Sequence, residues 1–179
     1  MKKLNKKFFS ESPEIVAKKL LGKTLAREIN GKILKAKIVE TEAYFGDEDP
    51  ASRAYKGKNK ISELMWHHPG TILIYNVHKY LMLNLVTSEK GIPSAVLIRA
   101  LEPLNFEGRC SGPGLLTNCL KINKSLHGES ISGSSLYIID TKESPKIQTS
   151  FRIGVTKDLP DHFRFFIKEN KFVSRYKST

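Results

Sequence analysis

Apolar and polar residues alternate with a period of two through the segment LKAKIVETEAY at residues 34–44. In a strand, Leu34, Ala36 and Ile38 would lie on one face, and the intervening lysines would lie on the other. This pattern predicts a strand with one face on the core and one face toward solvent.

A helical pattern precedes this strand. Ser12 is a favourable N-cap, Pro13 suits the first helical position, and Gly22 is placed to end the helix. We therefore predict a helix between Ser12 and Gly22, with an apolar stripe formed by Val16, Ala17, Leu20 and Leu21.

Most of the remaining elements predicted by the pattern are strands. The segment at 94–101 follows the turn-forming sequence SEKGIP, so it could pair with 80–86 as a hairpin. Two further helices are predicted, a short one near 60–66 and one at 113–120 that opens at GPG. The complete set of further strands is 71–77, 80–86, 94–101, 135–140, 151–155, 163–167 and 171–174.

Strands outnumber helices and do not alternate regularly with them. This arrangement favours an α+β fold, a single compact domain around a curved, mainly antiparallel β-sheet with a few short helices. We expect one domain over residues 1–179, with a basic N-terminal segment at 1–11 that could be flexible.

The alternation at 34–44 ends in two acids. If it continued unbroken, Glu40 and Glu42 would share the apolar face that begins at Leu34. A buried carboxylate is costly unless it is paired, hydrogen-bonded or placed at a cleft, and a partly desolvated glutamate makes a suitable general base. The pattern alone equally allows both acids to emerge into solvent or one of them to pair with a lysine.

Aromatic residues follow these acids. Tyr44 would share the face of Glu42, and Tyr75, His78 and Tyr80 cluster where two predicted strands meet. Pockets for nucleobases use such side chains because every base has a π-face. Half-buried residues at the edge of the core are the alternative interpretation.

The formal net charge of +12 favours a polyanionic partner such as nucleic acid, although a lysine-rich proteome would also give a basic chain. The two cysteines, Cys110 and Cys119, form no CxxC motif, which argues against a disulfide framework or a zinc cluster. Neither a secretory signal nor a membrane-spanning run is recognisable, so we expect an intracellular protein, located wherever DNA is.

Taken together, several segments resemble the alkyladenine (3-methyladenine) DNA glycosylase family. They occur in the family's order between about residues 15 and 170, which makes coincidence improbable. The segments are LLGKTLARE, IVETEAYFGDEDPASRAYKG, MW..PGTILIY, LNLVT, AVLIRALEP, CSGPGLLTNCLKINKS, FRIGV and FRFFI.

The resemblance implies a monofunctional glycosylase that flips alkylated or deaminated purines out of double-stranded DNA and hydrolyses the glycosidic bond. It implies no metal and no cofactor, and we expect a monomer. The family's general base corresponds to Glu42, and its water-holding arginine corresponds to Arg99. Tyr44 and Tyr75 would stack on the two faces of the flipped base, and Asn84 would disfavour a 2-amino group.

Two positions depart from the family pattern. Arg53 stands where the family usually has histidine in the base pocket; its positive charge would repel cationic lesions and favour neutral ones such as hypoxanthine. The family's intercalating tyrosine has no clear counterpart, because this chain is one residue shorter there. His78 is the best positional match and Tyr80 is the second, and either could insert into a base stack.

Two rival functions remain open at this stage. A non-catalytic nucleic-acid-binding module would share the positive charge, but it would gain nothing from an acid at a DNA-facing surface. Another hydrolase could use Glu40 and Glu42 as a carboxylate pair, for example on a glycoside, because same-face neighbours in a strand are roughly 6–7 Å apart.

Overall fold

The segment with alternating residues forms the long central strand of one sheet in the structure, a computed structural model that describes residues 2–133 and 135–175. The helices are α1 (Lys6–Phe9), α2 (Pro13–Leu20) and α3 (Pro113–Cys119). The strands are β1 (Thr24–Ile29), β2 (Lys32–Tyr44), β3 (Ile72–Val77), β4 (Tyr80–Val86), β5 (Ala95–Pro103), β6 (Leu136–Ile139), β7 (Ile147–Ser150) and β8 (Arg164–Ile167).

The strands form one curved antiparallel sheet in the order β3-β4-β5-β2-β1-β6. The first half of β2 pairs with β1, its second half pairs with β8, and β7 continues the sheet beyond β8. The antiparallel hairpin predicted between 80–86 and 94–101 is present as β4 and β5. The α+β fold class is therefore confirmed.

Helix α2 has the predicted ends. The Ser12 hydroxyl accepts a hydrogen bond from the Ile15 N–H at 3.4 Å, and Pro13 occupies the first turn. Gly22 has a φ of +85°, a left-handed conformation that favours glycine and ends the helix. The apolar stripe of α2 packs on β2, where the Thr41 hydroxyl donates to the Ala17 carbonyl.

Several local predictions differ from the structure. Strands β1 and β7 were not predicted, and the helix near 60–66 is a 3₁₀ turn at Glu63–Trp66. The strands predicted at 135–140 and 163–167 are present as β6 and β8. The predicted strand at 151–155 is wrong, because the chain turns at residues 153–154, where Gly154 has a φ of +75°. The predicted strand at 171–174 is also wrong, because Asn170 caps a turn by accepting from the Phe172 N–H.

The main core lies between the sheet and the helices. It also takes in the N-terminal segment, where Leu4 and Phe9 are buried and the Leu4 N–H donates to the Ile138 carbonyl. Among the described residues, no helix has the length and apolar character needed to cross a membrane.

Candidate active site

A cleft of about 600 Å³ opens where β2, β3 and β5 meet the loops at 50–56 and 153–157. This volume lies within the usual range for a small-molecule pocket, roughly 300–1,000 Å³. The cleft is lined by Tyr44, Pro50, Ala51, Arg53, Tyr55, Lys56, Tyr75, Val77, Met82, Leu97, Arg99, Pro113, Ile153, Gly154, Val155, Thr156 and Lys157.

An irregularity in the pairing of β2 with β5 brings polar side chains to this cleft. Ile38 pairs with Leu101, Glu40 with Ala100, and Thr41 with Ile98, so Val39 on β2 and Arg99 on β5 have no partner in the register. Such bulges change which way side chains point and are common beside active sites.

Because of this irregularity, the side-chain alternation of β2 is reversed after Val39, so residues that would have faced one side of the sheet face the other. Ile38 and Ala43 both belong to the main core, although an uninterrupted strand would put residues an odd number apart on opposite faces. The expectation that Glu42 continues the face of Ile38 is therefore wrong. Beyond the bulge, Thr41 and Ala43 face the core, and Glu42 and Tyr44 face the side of the cleft.

Glu42 is fully buried at the inner end of the cleft, behind the residues that line it. Its Oε1 accepts from the Ile153 N–H at 2.8 Å. Its Oε2 accepts from the Tyr44 hydroxyl at 2.7 Å and from Arg99 Nη1 at 3.1 Å. A carboxylate offers about four acceptor positions, so Glu42 can accept one more hydrogen bond.

Burial raises the pKa of Glu42 above its ordinary value, and the negative charge of Glu40 adds to this effect. Arg99, the Ile153 N–H and the Tyr44 hydroxyl act in the opposite direction because they favour the anion. A carboxylate held this way is more basic than a free glutamate and can still ionise.

Arg99 lies between the two glutamates. Its Nη1 donates to Glu42, and its Nε lies 3.5 Å from Glu40 Oε1. Burial alone would lower the pKa of Arg99, but the two carboxylates raise it, so the guanidinium stays charged. Glu40 is fully buried and accepts hydrogen bonds from Arg164 and Ser174, which disfavours its use as the second acid of a catalytic pair.

One wall of the cleft is the Tyr44 ring. The guanidinium of Arg152 lies 4.6 Å from its ring centre, is fully buried, and donates to the Ala43 carbonyl. Asp49 and Asp158 both pair with this guanidinium. These contacts fix the chain next to Ile153, whose N–H reaches Glu42.

Sequence reasoning missed the roles of Arg152 and Ile153. The segment FRIGV was noted only as part of the family resemblance and was assigned to a strand. The available signal was an arginine two residues before a glycine, and one of its acidic partners, Asp49, is far away in the chain.

A second aromatic wall of the cleft is Tyr75, with the Arg53 guanidinium 5.2 Å from its ring centre. Burial raises the pKa of Tyr75, and interactions with Arg53 and Asn84 oppose that rise. Asn84 is buried beneath this wall, where its amide donates to the Leu73 and Met82 carbonyls. Arg53 and Tyr75 therefore line the cleft, whereas Asn84 does not.

The two candidates for intercalation differ in their surroundings. His78 is exposed at the tip of the β3–β4 hairpin, with a φ of +52°. The Tyr80 ring packs closely on Gly114, where an added Cβ would lie only 2.5 Å from the ring. His78 is therefore free to reach a partner, whereas Tyr80 is held against α3.

Positive charge surrounds the mouth of the cleft. Arg53, Lys56 and Lys157 line it and are exposed, and Lys58 and Lys60 follow in the same loop as Lys56. A rim of this kind suits a phosphate backbone.

A family model described as "Methylpurine-DNA glycosylase (MPG)" matches residues 7–171. Curated relatives carry the name "Putative 3-methyladenine DNA glycosylase". The one from Desulfitobacterium hafniense (strain Y51) is 40% identical, over 97% of this chain and 99% of its own length. The one from Aeropyrum pernix is 37% identical, over 96% of this chain and 93% of its own length.

Proposed function

The chain belongs to the methylpurine-DNA glycosylase family, and we propose from this membership and the site geometry that it excises alkylated or deaminated purines from double-stranded DNA. The substrate class is that of 3-methyladenine, 7-methylguanine and hypoxanthine. Glu42 activates the water that attacks C1′ of the deoxyribose, and the product is an abasic site.

The single observation that carries this mechanism is the position of the Glu42 carboxylate. It is buried, it has a raised pKa, and it lies directly behind the tyrosine and the arginine that line the inner end of the cleft. Its remaining acceptor position suits a water that is about to lose a proton.

A purine inside a duplex cannot present its glycosidic bond to this carboxylate, so the nucleotide has to leave the base stack. Extrusion costs a few kcal/mol, least for a weakly paired lesion. Tyr44 and Tyr75 line the same cleft and provide the aromatic surfaces between which a flipped base would stack. His78, at the exposed hairpin tip, would fill the space left in the duplex.

As the base departs, the sugar develops positive charge. The Glu42 anion stabilises that charge and accepts a proton from the attacking water. Arg99 donates to Glu42 and lies 3.4 Å from the Ile153 carbonyl, so it orders both groups around the place where the water acts.

We propose that the enzyme is monofunctional. Lys56 and Lys157 line the cleft but are exposed, whereas Glu42 is buried behind the lining and is bonded to Arg99. Water is therefore the nucleophile, and borohydride should trap no covalent complex with DNA.

Arg53 refines the expected substrate range. Its guanidinium lies against Tyr75 at the mouth of the cleft, where it adds positive charge close to the flipped base. A permanently cationic base would be repelled there, so neutral lesions such as hypoxanthine should be favoured over cationic ones.

The test is incubation with a panel of duplexes that each carry one lesion, followed by alkaline cleavage of abasic sites. The wild-type protein should release at least one modified purine and leave undamaged duplex intact. Glu42→Gln should reduce base release by about 10²–10⁴-fold, as expected for loss of a general base. Glu48→Gln, an exposed neighbour, is the matched control and should keep wild-type activity.

The same assay separates the enzyme from a binding module. Glu42→Gln should bind DNA as tightly as wild type or more tightly, because removing an acid cannot weaken attraction to phosphate. Equal base release by Glu42→Gln and wild type would overturn the mechanism, and release from no substrate in the panel would overturn the function.

A further inference from the structure

The buried Glu40 carboxylate has an unusual set of partners. Arg164 Nε donates to its Oε1 at 2.6 Å, and the Ser174 hydroxyl donates to the same oxygen at 2.7 Å. The Ser174 N–H donates to Oε2 at 2.7 Å. Glu40 therefore joins β2 to β8 and to the C-terminal segment, although Ser174 is far away in sequence.

The same oxygen also attracts Arg99. Arg99 Nε lies 3.5 Å from Glu40 Oε1, and it is buried without a hydrogen-bond partner among the described residues. Arg99 Nη1 donates to Glu42 at 3.1 Å. The Arg99 guanidinium thus lies between two buried carboxylates. It donates a hydrogen bond to Glu42 but is only within ion-pair distance of Glu40.

We propose that Glu40 is a positioning residue, held by Arg164 and Ser174, that shares Arg99 with Glu42 and so sets how firmly Arg99 binds the general base. This inference rests on the proposed function, since it assigns Glu40 a part in the same reaction. Glu40 does not touch the substrate; it acts through Arg99.

The physical basis is competition for one cation. Arg164 and Ser174 partly neutralise Glu40, which limits its pull on Arg99 and leaves Nη1 with Glu42. Without the charge of Glu40, Arg99 would bind Glu42 alone. The groups that face Glu42 are Glu40 and Tyr44 on β2, Arg99 on β5 and Tyr75 on β3, together with the Ile153 N–H.

The alternative is that Glu40 only anchors the C-terminal segment. Glu102 provides the matched control, because its Oε2 accepts from Asn170 Nδ2 at 2.8 Å and so also anchors that segment. Among the described residues, no hydrogen bond or ion pair joins Glu102 to Arg99. Comparing Glu40→Gln with Glu102→Gln therefore separates anchoring from an effect on the general base.

The experiment is single-turnover base release by the full chain, measured across about pH 5 to 9 on the duplex that wild type cleaves best. For Glu40→Gln, the acid limb of the pH–rate profile should move to lower pH, because the neighbouring negative charge that favours protonation of Glu42 is gone. The plateau rate should fall by about tenfold, because the general base becomes weaker. Glu102→Gln should retain both the limb and the plateau of wild type.

Ser174→Ala supplies a second variant in case Glu40→Gln does not fold. Loss of its hydroxyl leaves Glu40 less neutralised, so Glu40 should draw Arg99 away from Glu42. The acid limb should then move to higher pH, opposite to Glu40→Gln. A purely structural role predicts no movement of the limb in either variant.

An acid limb that stays at the wild-type position in Ser174→Ala and in folded Glu40→Gln overturns the inference, as does a shift in the same direction in both variants. Neither outcome affects the proposed function, which wild-type activity and its loss in Glu42→Gln establish independently. If wild type releases no base, the proposed function itself fails.

Discussion

Each of the two aromatic walls of the cleft carries an arginine against its tyrosine, but the two arginines differ in their surroundings. Behind Tyr44, Arg152 is fully buried and is paired with Asp49 and Asp158. Over Tyr75, Arg53 is exposed at the mouth of the cleft. The buried wall holds groups that contact Glu42, the proposed general base, whereas the open wall carries an exposed positive charge.

The contrast teaches where each property of the enzyme resides. Interactions on the buried wall are shielded from solvent and fix the geometry of Glu42, so changes there should affect folding and chemistry. Interactions on the open wall are screened by water, so changes there should alter substrate choice by modest factors.

The largest expected effect comes from removing the buried arginine. Arg152→Gln leaves Asp49 and Asp158 without their cation, and breaking such a buried pair costs about 3–5 kcal/mol of unfolding free energy. Arg53→Gln, the matched change on the open wall, should cost less than about 1 kcal/mol. Urea unfolding of both variants checks this difference, and equal losses would refute the distinction between the walls.

The next prediction compares the two tyrosine hydroxyls. The Tyr44 hydroxyl donates to the Glu42 anion, so Tyr44→Phe should raise the pKa of Glu42 further and move the acid limb of activity to higher pH. The rate on the acidic side should fall by about tenfold, since a hydrogen bond to a charged group contributes about 1.5–3 kcal/mol. Tyr75→Phe also keeps its ring, and the Tyr75 hydroxyl interacts with Arg53 and Asn84 and has no recorded hydrogen bond to Glu42 among the described residues.

The pH–rate profiles of these two variants provide the measurement. An acid limb that moves equally in both, or in neither, would show that the Tyr44 hydroxyl does not tune the general base.

A third prediction concerns the hairpin that extends from the open wall. His78→Ala should slow base release by about tenfold, since stacking on an aromatic side chain contributes about 1–3 kcal/mol per base. Lys79→Ala, at the same tip, should weaken DNA binding mainly at low salt and leave the rate of the bound complex unchanged. If His78→Ala releases the base as fast as wild type and Tyr80→Ala releases it more slowly, Tyr80 is the intercalating residue.

The smallest expected effect is on lesion preference. Arg53→His should change the ratio of kcat/KM for hypoxanthine to that for 3-methyladenine by about two- to fivefold in favour of the cationic base, because an exposed charge contributes at most about 1 kcal/mol. Both lesions are assayed with wild type and variant under the same salt. An unchanged ratio would remove Arg53 as a determinant of substrate choice.

The parts of the fold that sequence could predict are those specified by neighbouring residues. Ser12 and Gly22 mark the ends of α2 locally, and the strand predicted at 80–86 matches β4 to the residue. The family resemblance named Glu42, Arg99 and Tyr44, and the structure brings these three side chains into direct contact.

Sequence could not show the features that depend on distant partners. The buried state of Arg152 depends on Asp49, which is 103 residues away, and the tie between Glu40 and Ser174 spans 134 residues. The bulge at Val39 produces no recognisable pattern in the sequence. Continuing the alternation past Ile38 therefore placed Glu42 on the wrong face. Local patterns describe the strands, whereas the register between strands decides what faces the cleft.

The paired irregularity in β2 and β5 also constrains how this chain could change over evolution. Arg99 is itself the unmatched residue of β5, so a deletion that made that strand regular would remove the arginine beside Glu42. Deleting Val39 alone would shift one half of β2 against the other and turn Glu42 toward the apolar interior. A more regular sheet would therefore separate Arg99 from Glu42, so under the proposed mechanism natural selection would preserve the irregularity.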